Sequence, residues 1–149
     1  MDQEEQRRLA VDCFNATWTL MEKHDRTRED DDEMIHGAHV SAYLWRDIGT
    51  AANRARGEWQ CSRVYAILGR SEPSLQHARR CLELVEASPG EMEEFDLPAA
   101  YEALARAYWI AGDLGESHRY AELGRKAATK IADEDDRKIM EADFATIGP

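Results

Sequence analysis

Three arginines and two tryptophans are the side chains of this sequence best suited to hold another molecule. Arg56, Trp59, Arg63 and Ile67 follow at intervals of three and four residues, so on a helix they share one side. Glu102, Arg106, Trp109 and Ile110 form a comparable group farther along the chain. Guanidinium forks match carboxylates or phosphates in bidentate geometry. Indole rings supply the flat apolar area typical of binding hot spots. The same arginines have an internal alternative: ion pairs with the chain's many carboxylates, with the tryptophans packed against a neighbouring helix.

A second cluster suggests metal chemistry. Glu33, His36, His39 and Tyr43 lie close together in sequence, and Glu-x-x-His is half of the motif that holds di-iron centres in helical bundles. The full motif needs a second Glu-x-x-His and two further glutamates, and no second copy occurs. A three-ligand zinc site is the remaining form, with His77, His118 or a glutamate of the first helix as partner. Against it stands a simpler role for His36 and His39 as half-buried hydrogen-bonding residues between helices. The sequence shows no nucleophile elbow, phosphate loop or dinucleotide fingerprint. The expectation is therefore a protein that is not an enzyme and carries no cofactor.

Composition narrows the partners. The chain has 149 residues, 43% of them hydrophobic and 33% charged, a balance suited to a folded globular chain. Its net charge of −11 repels nucleic-acid phosphates and anionic membrane surfaces. Cys13, Cys61 and Cys81 match no zinc or redox spacing and read as small buried apolar side chains in a reducing compartment. No stretch is long and apolar enough to span a bilayer, and no secretory pattern follows Met1, which points to the cytoplasm.

These residues must be positioned by helices. Apolar residues recur at helical spacing, glycines and prolines sit where helices would end, and no segment alternates with period two. The spacing predicts seven helices. The first runs from about Gln3 to His24, with Leu9, Cys13, Ala16 and Leu20 on one stripe and Phe14, Trp18 and Met21 beside it. The second covers Asp31 to Asp47, with the carboxylate run Glu29–Glu33 as its cap and first turn. The third spans Ala51 to Leu68, the fourth Ser71 to Ala87. The fifth has Pro98 in its first turn and ends at Gly112. The sixth runs from Leu114 to Ile131. Asp133 caps the seventh, whose Ile139, Met140, Phe144 and Ile147 form an apolar stripe.

An internal repeat is visible. Aligning Gly69 with Gly112 also aligns Arg63 with Arg106, Tyr65 with Tyr108, Ser74 with Ser117 and Ala78 with Ala121. Small residues suit close helix crossings, and glycine suits the tight turn inside a pair. The segments Ser62–Pro89 and Leu104–Ala127 resemble tetratricopeptide repeats. In the second, Leu104, Ala105, Tyr108, Gly112 and Ala121 fall on signature positions; in the first, Ser62, Tyr65, Gly69, Ala78 and Pro89 do so. The period exceeds the usual ~34 residues because Gly90–Leu97 is inserted, as in bacterial regulatory proteins of this kind.

The resemblance implies an all-α fold: an antiparallel helix-pair solenoid with one domain over 1–149. It comprises a degenerate pair at 3–49, repeats at 51–89 and 95–131, and a capping helix at 133–147. Ala38 and Ala42 are the close-packing positions expected in the degenerate pair. In this family the first helix of each pair lines a concave face that binds extended peptides. That would gather Arg56, Trp59, Arg63, Arg106 and Trp109 into a groove for another protein or peptide, acidic or C-terminal in character. The chain lacks the Lys and Asn pattern of members that clamp a terminal carboxylate. A further possibility is a homodimer anchored by Met140 and Phe144; the preferred reading folds the last helix back on the sixth as a cap.

Overall fold

The computed structural model describes residues 1–148. Seven α-helices follow in order: α1 (Gln3–Glu22), α2 (Arg28–Ile48), α3 (Ala51–Ile67), α4 (Ser71–Ala87), α5 (Asp96–Ile110), α6 (Leu114–Ala128) and α7 (Glu134–Ala145). A single 3-10 turn at Pro89–Glu91 lies between α4 and α5, and no strand occurs among the described residues. The helices pack as consecutive antiparallel pairs, α1 on α2, α3 on α4 and α5 on α6, with α7 laid against α6 and α5. The third helix is central and touches α1, α2, α4 and α5. No helix among the described residues is long and apolar enough to cross a membrane.

Five of the seven helices, all but α4 and α5, start at a short polar side chain that accepts a free backbone N–H group of the first turn. Asp2 and Glu5 form a reciprocal capping box on α1, Thr27 and Asp30 on α2, and Thr50 and Asn53 on α3. The α2 box corrects the expected start at Asp31. Thr27 is the cap, so the helix begins at Arg28 and the carboxylates Glu29, Asp30 and Asp31 fill its first turn. Asp133 caps α7 as expected, accepting from the Asp136 N–H.

The two expected repeats close their inner turns identically. Gly69 and Gly112 hold φ of +73° and +84°, a left-handed conformation that disfavours side-chain-bearing residues. The Arg70 N–H reaches the Tyr65 carbonyl at 2.8 Å and the Gly69 N–H reaches Ala66 at 3.0 Å. Asp113 to Tyr108 and Gly112 to Trp109 repeat this at 3.0 Å each. Both turns are therefore Schellman caps.

Small residues let the paired helices cross closely. The Ser74 hydroxyl donates to the Ser62 carbonyl at 2.9 Å while the Ser62 hydroxyl donates to the Ser74 carbonyl at 2.8 Å. Ser117 donates to the Ala105 carbonyl at 2.8 Å, and in the first pair Ser41 donates to the Ala10 carbonyl at 2.7 Å. All these serines are fully buried, so each bond also removes a desolvated hydroxyl from the cost side of folding. This crossing corrects the buried face of α1. Ala10 and Thr17 face α2, whereas Leu9 is 38% exposed and Ala16 is exposed.

The last helix is fixed by Phe144, whose ring fills the space over Gly124 of α6. Full burial of such a ring contributes about 1.5–3 kcal/mol. Met140 and Ile147 are buried beside it. Phe144 and Met140 are thus engaged within the chain, as expected for a last helix folded back on α6. Ile139, expected on the same stripe, is 63% exposed.

Candidate functional site

Helices α1 and α7 form the two walls of a groove whose floor is α3, α4 and α5, with Cys81 and Val85 contributed by α4. Phe14 and Trp18 come from α1, Ile139 and Met140 from α7, Ala55 and Trp59 from α3, and Ala99 from α5. The space has a volume of about 330 Å³ and is almost entirely apolar. Trp18 and Trp59 lie against each other, ring centroids 5.6 Å apart. The first wall is held to the floor by Gln60 of α3, whose amide donates to the Phe14 carbonyl at 2.9 Å.

The arginines expected to receive an acidic ligand already have carboxylates of this chain. Arg56 places both Nε and Nη2 on Asp96, at 3.0 and 2.9 Å, and lies over the Phe95 ring. Asp96 is 3% exposed. It also accepts from the Glu93 N–H at 2.8 Å, so it fixes the chain entering α5. Glu102, 1% exposed, accepts from Arg63 Nη1 at 2.9 Å, Arg106 Nε at 2.7 Å and Trp59 Nε1 at 3.3 Å. Arg106 then reaches α7, donating from Nη2 to the Asp143 carbonyl at 3.0 Å and to the Thr146 hydroxyl at 2.6 Å. Two cations around one buried carboxylate form a charge-assisted network that locks α3, α5 and α7 together.

Asp143 lies at the edge of this network, 3.7 Å from Arg63. Burial raises its carboxyl above the ordinary range and the neighbouring Glu102 raises it further; Arg63 and Arg106 offset only part of this. The five residues expected on one surface are divided by the network. Arg56 and Trp59 border the apolar groove. Arg63, Arg106 and Trp109 border a second hollow of about 270 Å³ with Met21 and Ile67, where the Trp109 ring packs against Gly148.

The histidine cluster is also divided. Glu33 and His36 are exposed, whereas His39 turns toward α3 and α4. Its Nε2 is 2.8 Å from the Tyr65 hydroxyl, and its ring meets His77 edge-on at 5.3 Å. His77 stacks on Tyr65 and pairs through Nδ1 with Glu58 at 2.6 Å. Burial, and secondarily His77, hold His39 below its ordinary value and favour the neutral ring. Among the described residues, no group of three or more His, Cys, Asp or Glu side chains is placed to hold a metal ion. Cys61 lies under this cluster with its thiol pushed up to about 12, chiefly by burial, so it stays protonated.

Sequence spacing singled out Arg56, Trp59, Arg63 and Arg106, and placed Glu102 beside Arg106 without marking it as the shared partner. Asp96 and Glu102 had one local signal, the four-residue interval from Glu102 to Arg106, which is a common intrahelical ion pair. Trp18 and Ile139, the exposed apolar rims of the groove, were visible only as members of two separate stripes. No family model matches this chain, nor does any curated protein or solved structure, so the chemistry of the groove itself carries the functional reading.

Proposed function

We propose that this chain is a peptide-binding module of the tetratricopeptide-like type, and that the groove between α1 and α7 takes an apolar-faced segment of another protein. One observation supports this most: two exposed apolar side chains, Trp18 at 39% and Ile139 at 63%, stand on opposite walls of a preformed apolar groove. Unlike the singly exposed Tyr43 and Leu114, these two continue into the apolar lining of Phe14, Ala55, Trp59 and Met140 and so form one contiguous apolar surface. A volume of about 330 Å³ is at the small end of ligand sites, room for a few side chains rather than a whole domain.

The partner's chemistry follows from what the groove leaves unpaired. Arg56, Arg63 and Arg106 are engaged by three carboxylates of the chain, Asp96, Glu102 and Asp143, so an acidic ligand finds no unpartnered cation here. Aliphatic or aromatic anchors are the better match, with the indoles as contact area.

The test is selection of peptides from a displayed random library on the native chain, with a Trp18→Asp, Ile139→Asp double variant as counter-target. Peptides sharing regularly spaced apolar residues, bound by the native chain and lost on the variant, are expected. Selection of acidic peptides, or equal binding to both proteins, would overturn the reading. Both replaced side chains are exposed, so the variant is expected to keep the helical circular dichroism of the native chain.

A further inference from the structure

On the other side of α3, a wider cleft of about 660 Å³ opens between α2 and α4. We propose that this cleft is a second, independent binding site, for a small monocarboxylate with an apolar body, anchored by Arg54. It does not rest on the peptide-groove reading: α3 and α4 line both sites, but with different residues, and no side chain borders both spaces.

Arg54 is the exception among the charged side chains that line the cleft. Arg80 is bonded to Glu83 at 2.9 Å. Arg46 meets Asp47 at 3.4 Å and lies over the Tyr43 ring at 4.6 Å. Glu58 is taken by His77 at 2.6 Å. The Arg54 side chain makes no hydrogen bond and no ion pair among the described residues, and its Nε is buried without any acceptor. A desolvated guanidinium donor left unmet costs free energy, about 1–3 kcal/mol for a buried polar group and more when charged. The other arginines without a carboxylate partner, Arg7, Arg8, Arg28, Arg70, Arg79 and Arg125, are all exposed to water, whereas Arg54 is partly buried with a desolvated Nε.

The charge of the occupant follows from the same inventory. With every other cation paired and Glu58 and Glu83 close by, a single free fork matches a monoanion. A phosphate dianion would bring a second negative charge beside two carboxylates. A carboxylate fits the fork in bidentate geometry. Ala42, Leu84 and Ala87 line the same space and provide apolar cover for the body of the ligand.

The experiment is a titration of the intact protein, followed by amide chemical shifts, with hexanoate, phenylacetate and acetate, and with hexanamide and phenylacetamide as uncharged controls. Hexanoate and phenylacetate are expected to shift residues of α2, α3 and α4 around the cleft, acetate to bind more weakly, and the amides not to bind. Arg54→Met keeps the aliphatic stem and removes the fork; it is expected to weaken hexanoate at least about tenfold, the weight of one charge-assisted bond. The ligand-free variant is expected to melt no lower than the native chain, because the replaced group has no partner to lose. A peptide ending in a free leucine carboxylate separates the two sources of such an anion. Tighter binding than hexanoate at the same residues, lost when that terminus is amidated, would support the site and assign it to a protein C-terminus. Weaker binding would support it as a site for a free small acid. Amides that bind as well as the acids, unchanged affinity in Arg54→Met, or no cleft shifts with either hexanoate or phenylacetate at saturating millimolar concentration would overturn the proposal.

Discussion

Arg54 and Arg56 stand two residues apart on α3 and face opposite sides of the molecule. Arg56 borders the groove between α1 and α7 and grips Asp96 with two nitrogens; Arg54 borders the cleft between α2 and α4 and grips nothing. The residue type is the same, the helix is the same, and the chemistry offered to a ligand is opposite. In the groove, positive charge is structural: it joins three helices and leaves apolar walls exposed. In the cleft, positive charge is left over among side chains that have otherwise found partners. A basic side chain is therefore informative about ligands only after its carboxylates have been counted.

The largest effect that would break this contrast is expected at Glu102. Glu102→Ala leaves the buried Arg106 and the partly buried Arg63 around an empty centre and should cost about 3–5 kcal/mol in urea denaturation, the range for breaking a buried pair by removing one partner. A loss below about 1 kcal/mol, the range of exposed pairs, would mean that the groove arginines are not structural and remain available to ligands. The same network changes the meaning of the Arg63→Glu, Arg106→Glu double reversal. It would press three carboxylates together around α5 and unfold the chain rather than leave a folded non-binder.

A smaller effect separates the two sites. Gly124 has no room for a methyl group because the Phe144 ring occupies that space. Gly124→Ala should force the ring and α7 outward at a cost of about 1–3 kcal/mol. Groove peptides should bind more weakly to it, since α7 is one wall, while carboxylate shifts around Arg54 should persist. Equal loss at both sites would show that they are not independent.

The smallest effect is in pH dependence, where the two sides have opposite signs. His39 on the cleft side is held below its ordinary 6.5, so the unfolded chain binds its proton first. Its contribution should fall as pH drops below 6.5 and level off beneath its folded value. Asp143 on the groove side is raised above its ordinary 3.8, so the folded chain binds the proton first. Its contribution should be present in acid and be lost as pH rises through the raised value. Urea midpoints measured across this range should lose the first slope in His39→Gln and the second in Asp143→Asn. A slope that survives its variant assigns it to another group.

Seven helices and their pairing were legible because both signals are local: apolar spacing within a helix, and glycine or proline at its end. The start of α2 was misread because a run of carboxylates looks like a cap, whereas the Thr27 hydroxyl and the Asp30 side chain complete the box together. The surface bearing Arg56, Arg63 and Arg106 was legible, but its neutralisation was not. Asp96 and Glu102 lie about forty positions from Arg56 and Arg63; the interval from Glu102 to Arg106 was the one local signal, and nothing local marks Asp96 apart from the exposed acids around it. Glu33, His36 and His39 do not converge, for a geometric reason. Six residues advance a helix by roughly 600°, so His39 lies about 120° away from Glu33 around the axis. Arg54 attracted no notice because an unpaired charge is defined by what does not surround it.

The contact between Trp18 and Trp59 has an optical consequence. Two indole rings 5.6 Å apart and tilted by 40° couple their transitions. The folded chain should therefore show an exciton couplet in the ultraviolet circular dichroism on top of its helical bands. One ring belongs to the wall of the groove and the other to its floor. A segment wedged between them would change their separation, and the couplet would change with it, giving the unmodified protein a built-in signal for occupancy.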